Sequence, residues 1–175
     1  LAAVALVALP LVGSGSTWLT LTVAGLAMGT IVFIVASGLT LVFGLMDVLN
    51  FGHGVFLALG AYVAVSSFGA MAGYAASPSL AMNLVAVFAA IGIAMLAAGA
   101  LGLAFERVVV KPVYGHHLKQ ILITMGGMIV GEELIKLVWG PVPIALPLPE
   151  TLRGSFVIGE AIVQKFRVLA TVIGA

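Results

Sequence analysis

Between Leu1 and Phe105 the chain carries one formally charged residue, Asp47. Few folds accept so long a stretch with so little charge. A soluble domain is about a quarter charged, whereas this chain is 7% charged and 63% hydrophobic, with a mean hydropathy of +1.31. The long uncharged runs fit a hydrocarbon solvent, where a helix satisfies every backbone polar group within its own segment. A transmembrane β-barrel would instead show alternating segments of about ten residues, and none is present. The fold class expected is all-α, a polytopic transmembrane helical bundle.

Segment lengths and breakers set the organisation. Leu1–Val12 reads as the tail of a membrane span rather than a signal peptide, because no charged region precedes it. The last residues, R-V-L-A-T-V-I-G-A, also lie inside an apolar run. The expectation is therefore about six spans, the first and last truncated, in a single transmembrane domain over residues 1–175 that is incomplete at both ends.

Trp18–Met46 is uncharged throughout. As one helix it would be about 44 Å long against a hydrocarbon core of roughly 30 Å, so it must tilt, protrude or break before Asp47. Thr22, Gly25, Gly29, Ala36 and Thr40 form a stripe of small residues expected to act as a helix–helix seam. Val55–Tyr74 is a third apolar segment, closed by the break at Pro78. Leu80–Phe105 is a fourth, rich in Ala and Gly and expected to be buried among other helices, with Asn83 as its polar burden. Glu106–Gln120 is polar, and Pro112 and Gly115 break helix there. Ile121–Trp139 is a fifth segment with Gly127 and Gly131 at GxxxG spacing. Glu132 and Lys136 stand four residues apart, in the order that favours a helical ion pair. Charges near the bilayer centre are costly, so these are expected toward the far interface, with Trp139 as an aromatic anchor. In Gly140–Glu160 a hairpin turning at Arg153-Gly154 is expected, and from Ala161 a sixth span.

The chemistry is concentrated between Asp47 and Gly54, in D-V-L-N-F-G-H-G. Two readings of Asp47, Asn50, Phe51, Gly52, His53 and Gly54 stay open. In one, the glycines permit an unwound backbone that lines a substrate pathway, as discontinuous helices do in transporters. In the other, the stretch is an interfacial turn in which Asn50 caps the following helix. His116 and His117 are adjacent, which is poor metal geometry, so a solvated loop and no metal site are expected. Without cysteine, disulfides and thiolate chemistry are excluded. No catalytic set or phosphate-binding loop is present, so neither an enzyme nor a cofactor is expected. The net charge of +1 gives no sign of nucleic-acid binding. Lys and Arg tie between the two sets of loops, so charge alone leaves orientation open.

The stretch G-L-T-L-V-F-G-L-M-D-V-L-N-F-G-H-G-V-F-L-A-L-G-A-Y resembles the signature of LivH-type permease subunits of branched-chain amino acid ABC importers. Gly38, Gly44, Asn50, Phe51, His53, Gly54, Gly60, Ala61 and Tyr62 match it, and Gly52 replaces the usual Ala. Glu106-Arg107 with Lys111-Pro112 resembles a second element, and I-T-M-G-G-M-I-V-G-E-E-L-I-K-L-V-W-G-P a third. The resemblance implies an N-terminal part of a multi-pass subunit in a bacterial inner membrane, moving leucine, isoleucine and valine into the cytoplasm. It also implies that 106–120, with Arg107, Lys111 and Pro112, is cytoplasmic and 140–160 periplasmic. The implied partners are a second, LivM-like permease, two ATPase subunits that hydrolyse ATP, a periplasmic substrate-binding protein and membrane lipid. Urea or short amides are the alternative cargo within this resemblance, and a non-transporting membrane scaffold is the alternative outside it.

Overall fold

The computed structural model describes residues 7, 12–158 and 160–174. Most of the expected first span, Leu1–Val12, lies outside them. Helices dominate: α1 (Gly15–Met46), α2 (His53–Ala70), the single turn α3 (Ala72–Ala75), α4 (Leu80–Phe105), α5 (His117–Trp139) and α6 (Lys165–Gly174), with a hairpin of β1 (Ser155–Ile158) and β2 (Ala161–Gln164) before α6. Among the described residues three segments are long and apolar enough to cross a membrane: Gly15–Leu45, His53–Ala70 and Leu80–Val113. The fifth expected segment forms the continuous helix α5, but Lys119, Glu132, Glu133 and Lys136 punctuate it.

Two compact units are distinguished: residues up to Ala36 together with those from Leu152 onward, and Ser37–Thr151. In the first, Ser14 opens α1, its hydroxyl facing the Thr17 amide at 3.4 Å. Among the described residues, Gly25 and Gly29 meet nothing where a side chain would project, so no described neighbour packs on the small-residue stripe of α1 at these positions. In the hairpin, Ile158 pairs with Ala161 and Ser155 with Gln164. The chain thus reverses after Ile158, and Arg153-Gly154 lies ahead of the hairpin rather than at its turn. Ala161 and Val163 are buried while Ile162 and Gln164 are exposed, the period-two pattern of a strand with one covered face. The sixth segment therefore begins as a strand, and its helix starts only at Lys165. Apolar residues alternating from Ala161 fit a pleat as well as they fit the start of a span.

The second unit is built on the α2–α4 hairpin. Phe68, Ala86 and Ala90 form its buried centre, with Met71, Ala75 and Val87 packed around them. On α4 the covered residues are Asn83, Ala86, Ala90 and Ala94, a stripe at three- and four-residue spacing where a Cβ and no more lets the backbones approach. Gly92, Gly99 and Gly102 meet nothing within 4 Å. So α4 is buried along one stripe rather than all round.

Asn83 is fully buried and acts as the pin of the hairpin tip. Its Nδ2 donates to the Tyr74 carbonyl at 2.8 Å and the Ser77 carbonyl at 2.9 Å. Its Oδ1 accepts from the Thr151 amide at 2.9 Å and the Thr151 hydroxyl at 2.7 Å. One amide side chain thus closes the 74–79 turn and ties down the end of the Pro-rich segment 140–151.

Helix α5 runs parallel to α2. Gly131 meets Val55, and Trp139 meets Tyr62 at a ring-centroid distance of 5.4 Å and donates its indole N–H to the Ser66 hydroxyl at 2.8 Å. Gly127 faces the Phe105 ring, whose other contact is an edge-to-face stack on Phe56. The GxxxG spacing therefore forms a helix–helix seam. A Cβ on Gly127 or Gly131 would lie 2.6 or 2.5 Å from its neighbour, closer than carbon atoms pack. Trp139 thereby packs along the C-terminal half of α2.

Candidate functional site

Helix α1 stops at Asp47, which adopts φ +51°. Among non-glycine residues Asp tolerates this left-handed conformation comparatively well, and a single such residue turns the chain out of the helix. Residues 47–50 then carry no regular structure, and α2 begins at His53. Of the three outcomes open for this segment, a break before Asp47 does not occur: the helix is continuous for 32 residues and ends at Asp47.

The unwound stretch is held from two directions. Within it, the Asn50 Oδ1 accepts from the Gly52 amide at 3.0 Å, an Asx turn that stands in for a missing backbone bond. From outside it, Thr124 of α5 supplies the tie. Its hydroxyl lies 3.2 Å from the Leu49 carbonyl and 2.7 Å from its own helix's Gln120 carbonyl, and accepts the Phe51 amide at 3.3 Å. Thr124 is fully buried, so no water competes for those groups. Asn50 does not cap α2, whose N-cap is Gly52 without a side-chain bond. It shapes the turn one step earlier.

Each candidate residue has a definite place. Asp47 is exposed, its Oδ2 3.8 Å from the His117 Nε2 at the start of α5. Val48 is buried, Asn50 half-buried, and Phe51 half-exposed. Gly52 is buried at φ −75°, an ordinary helical value. A Cβ there would meet the Asn50 Oδ1 at 3.2 Å, so the Ala of the resembling signature fits only if the Asn50 side chain gives way slightly. His53 turns its ring toward Gly38, where a Cβ would stand 3.3 Å from the imidazole Cε1. Its Nε2 is buried without a hydrogen-bond partner among the described residues. Gly54 is exposed, with open space beside it.

The second group lies where α4 ends. A π turn, Glu106–Val110, and a 3-10 turn, Lys111–Val113, follow Phe105. Pro112 has no N–H and its ring would clash with the carbonyl four residues back, which explains the departure from α geometry. Arg107, Lys111 and Pro112 are all exposed. Tyr114 donates its phenol hydrogen to the Glu106 carboxylate, and that bond, then burial, then the Glu106 charge, raises the phenol above its ordinary pKa. Gly115, at φ +78°, makes the turn into α5.

The structure brings the 47–54 stretch together with the first turns of α5 through Asp47–His117 and Thr124. It does not bring Arg107 or Lys111 into contact with that stretch among the described interactions. Thr124 and Gln120 are the participants that motif reading did not single out, whereas Gly38 is one of the residues that match the resembling signature. The signal available was the isolated Thr in I-L-I-T-M-G-G, a lone hydroxyl in an apolar helix, which needs a partner when buried. On α5 the ion pair forms between Lys136 and Glu133, at 2.7 Å and three residues apart, and not with Glu132 as the sequence order had favoured. Among the described residues no group of His, Asp and Glu is arranged to hold a metal.

Residues 21–142 match the family described as branched-chain amino acid transport system / permease component. The curated relatives agree with that match. The chain is 29% identical over 138 residues to the high-affinity branched-chain amino acid transport system permease protein BraD of Pseudomonas aeruginosa. It is 29% identical over the same length to LivH of Salmonella typhimurium and 28% to LivH of Escherichia coli, both described in the same words. Each alignment covers 78% of this chain and 43% of the relative, so the chain spans less than half the length of the proteins it matches. No solved structure gives a significant match.

Proposed function

This chain belongs to the permease-component family of branched-chain amino acid transport systems, and from that premise we propose that it is part of the membrane subunit of an ATP-driven importer for leucine, isoleucine and valine. The observation that carries the proposal is the continuous family match over 21–142, which includes both the unwound stretch and the α5 face that holds it. In this reading the subunit resides in a bacterial inner membrane and works with a second permease, two ATPase subunits and a periplasmic binding protein. ATP is hydrolysed by those partners, and this chain provides walls. The 106–120 segment faces the cytoplasm and 140–160 the periplasm.

Alternating access requires an element with two arrangements whose balance the ATPases shift. The break at Asp47–Gly52 suits that role, because few hydrogen bonds tie it to α5 and Asp47 already holds a left-handed φ of +51°. Asn50, Gly52 and Thr124 set the shape of the break, and His53 and Gly38 set how closely the end of α1 approaches the start of α2.

Uptake of labelled leucine and of labelled urea, in cells carrying the complete transporter and in cells lacking this subunit, tests the reading. The expected result is ATP-dependent leucine uptake that disappears with the subunit while urea uptake is unaffected. Leucine uptake that survives its loss overturns the reading.

A further inference from the structure

Among the described residues two buried side-chain atoms have no hydrogen-bond partner, the His53 Nε2 and the Gln120 Oε1. His53 closes the unwound stretch, and Gln120 stands four residues before Thr124, on the same face of α5. Buried polar atoms are nearly always bonded. Two orphans beside one segment therefore mark an arrangement that leaves bonds unspent.

Gln120 is 1% exposed, and among the described residues its amide makes a single long bond, from Nε2 to the Val113 carbonyl at 3.4 Å. That carbonyl does not depend on it, since it also accepts the His116 amide at 3.1 Å. A Met would fill a similar volume without burying a polar group. Thr124 is overcommitted in the opposite sense. Its hydroxyl has one hydrogen, and three carbonyls compete for it: Gln120 at 2.7 Å, Leu49 at 3.2 Å and Ile121 at 3.2 Å. The shortest contact takes the hydrogen and leaves the Leu49 carbonyl poorly served, while the oxygen accepts the Phe51 amide at a long 3.3 Å. The stretch thus offers α5 one acceptor, Leu49, and one donor, Phe51. A primary amide carries a group for each.

We propose that Gln120 is a second dock for the unwound stretch, its Oε1 accepting the Phe51 amide and its Nε2 donating to the Leu49 carbonyl. One helical turn, about 5.4 Å, separates it from Thr124. The reach of the Gln side chain covers most of that distance, so the seam between Gly131 and Val55 stays in place. The exchange strands nothing on α5: Thr124 keeps the Gln120 backbone carbonyl and Val113 keeps the His116 amide. It moves the stretch toward the 106–120 segment and draws the end of α1 with it, which alters the approach of Gly38 to His53. The inference rests on the importer reading above and gives the two arrangements that alternating access requires. Gln120 is a positioning residue in this scheme and touches no substrate.

The test follows hydrogen exchange of the Phe51 amide in the complete transporter in proteoliposomes. Gln120→Met should leave that exchange unchanged or slower while Thr124 is present, and should speed it about tenfold in a Thr124→Val background. Gln120→Asn keeps the amide but is one methylene too short to reach, and should reproduce both results. Either variant should lower ATP-dependent leucine uptake about tenfold, the loss of one bond made in only one arrangement. Equal exchange factors in the two backgrounds would make Gln120 a static brace and overturn the proposal. Faster exchange from Gln120→Met alone would do the same. Wild-type leucine uptake is read separately: if it is present and the factors are equal, the second dock fails and the importer reading stands. If it is absent and the factors differ as expected, the dock stands and the importer reading fails.

Discussion

Replacing Asn83 by Ala should detach the two ends of the hairpin tip at once. The side chain makes four short bonds, two donated to the Tyr74 and Ser77 carbonyls and two accepted from Thr151. At about 1 kcal/mol for each neutral bond, the truncation costs about 4 kcal/mol, a large fraction of a domain's usual margin. Thr151→Val removes only the hydroxyl bond and should cost about 1 kcal/mol. Because that bond is already absent from Asn83→Ala, the double variant should be about 1 kcal/mol less destabilised than the sum of the two. Unfolding of the chain in detergent micelles, followed by the fluorescence of Trp139 packed on Tyr62, measures all three. Asn83→Asp sharpens the test, since it keeps the acceptor for Thr151 and loses both donors. An Asn83→Ala cost below about 1 kcal/mol, or strict additivity with Thr151→Val, would refute this account of the tip.

Thr124→Val should release the Leu49 carbonyl and Phe51 amide for about 1–2 kcal/mol, read as faster hydrogen exchange confined to 48–52; unchanged exchange there would show that the stretch holds itself. Gly131→Ala should cost about 1–3 kcal/mol by overpacking against Val55 and be relieved by Val55→Ala, whereas Gly126→Ala, in open space, should be near neutral; equal costs at the two glycines would contradict the parallel α2–α5 seam. For Tyr114, the protonated phenol is the form that donates to Glu106, so its raised pKa means stabilisation present below its ordinary pKa and lost as pH climbs through the folded one. Ultraviolet titration should show the Tyr114 phenol ionising earlier in the Glu106→Gln variant than in the parent chain; an identical curve in both would remove the assigned cause.

Breakers were the most legible part of this sequence. Asp47, Pro112 with Gly115, and Gly140 each fall where composition placed an ending, since a missing N–H or a left-handed residue acts locally; the segment expected to run from Val55 to Tyr74 instead breaks at Met71, ahead of Pro78. The Gly127–Gly131 spacing was equally readable, because a helical repeat fixes which residues share a face. Asn83 was not. Its weight comes from Thr151, 68 residues away, and no local pattern announces a partner at that distance. The ion pair went to Glu133 instead of Glu132 because both spacings bring side chains together on a helix and only packing decides between them. Ala161–Gln164 misled for a simpler reason: apolar residues entering a hydrophobic run suit a strand and a span alike. At the candidate site the glycines, Gly38 included, and Asn50 were visible as a motif, while Thr124, which holds the stretch, lies on another segment.

The parallel arrangement of α2 and α5 carries a consequence for how such a unit reaches the membrane. Parallel neighbours cannot be joined by a tight turn, so α4 must cross first and return the chain to the starting side. Helices α2 and α4 are apolar enough to partition as a hairpin as soon as both have been synthesised. Helix α5, with Glu132, Glu133 and Lys136, does not meet that standard. What awaits it is a prepared surface, Val55 opposite Gly131 and Phe105 opposite Gly127, whose contacts offset the cost of bringing charges in. Order of synthesis and order of insertion then coincide, the reluctant helix entering last against a template laid down by the willing two. Substitutions that spoil the template should therefore strand α5 outside the bilayer before they impair any assembled transporter.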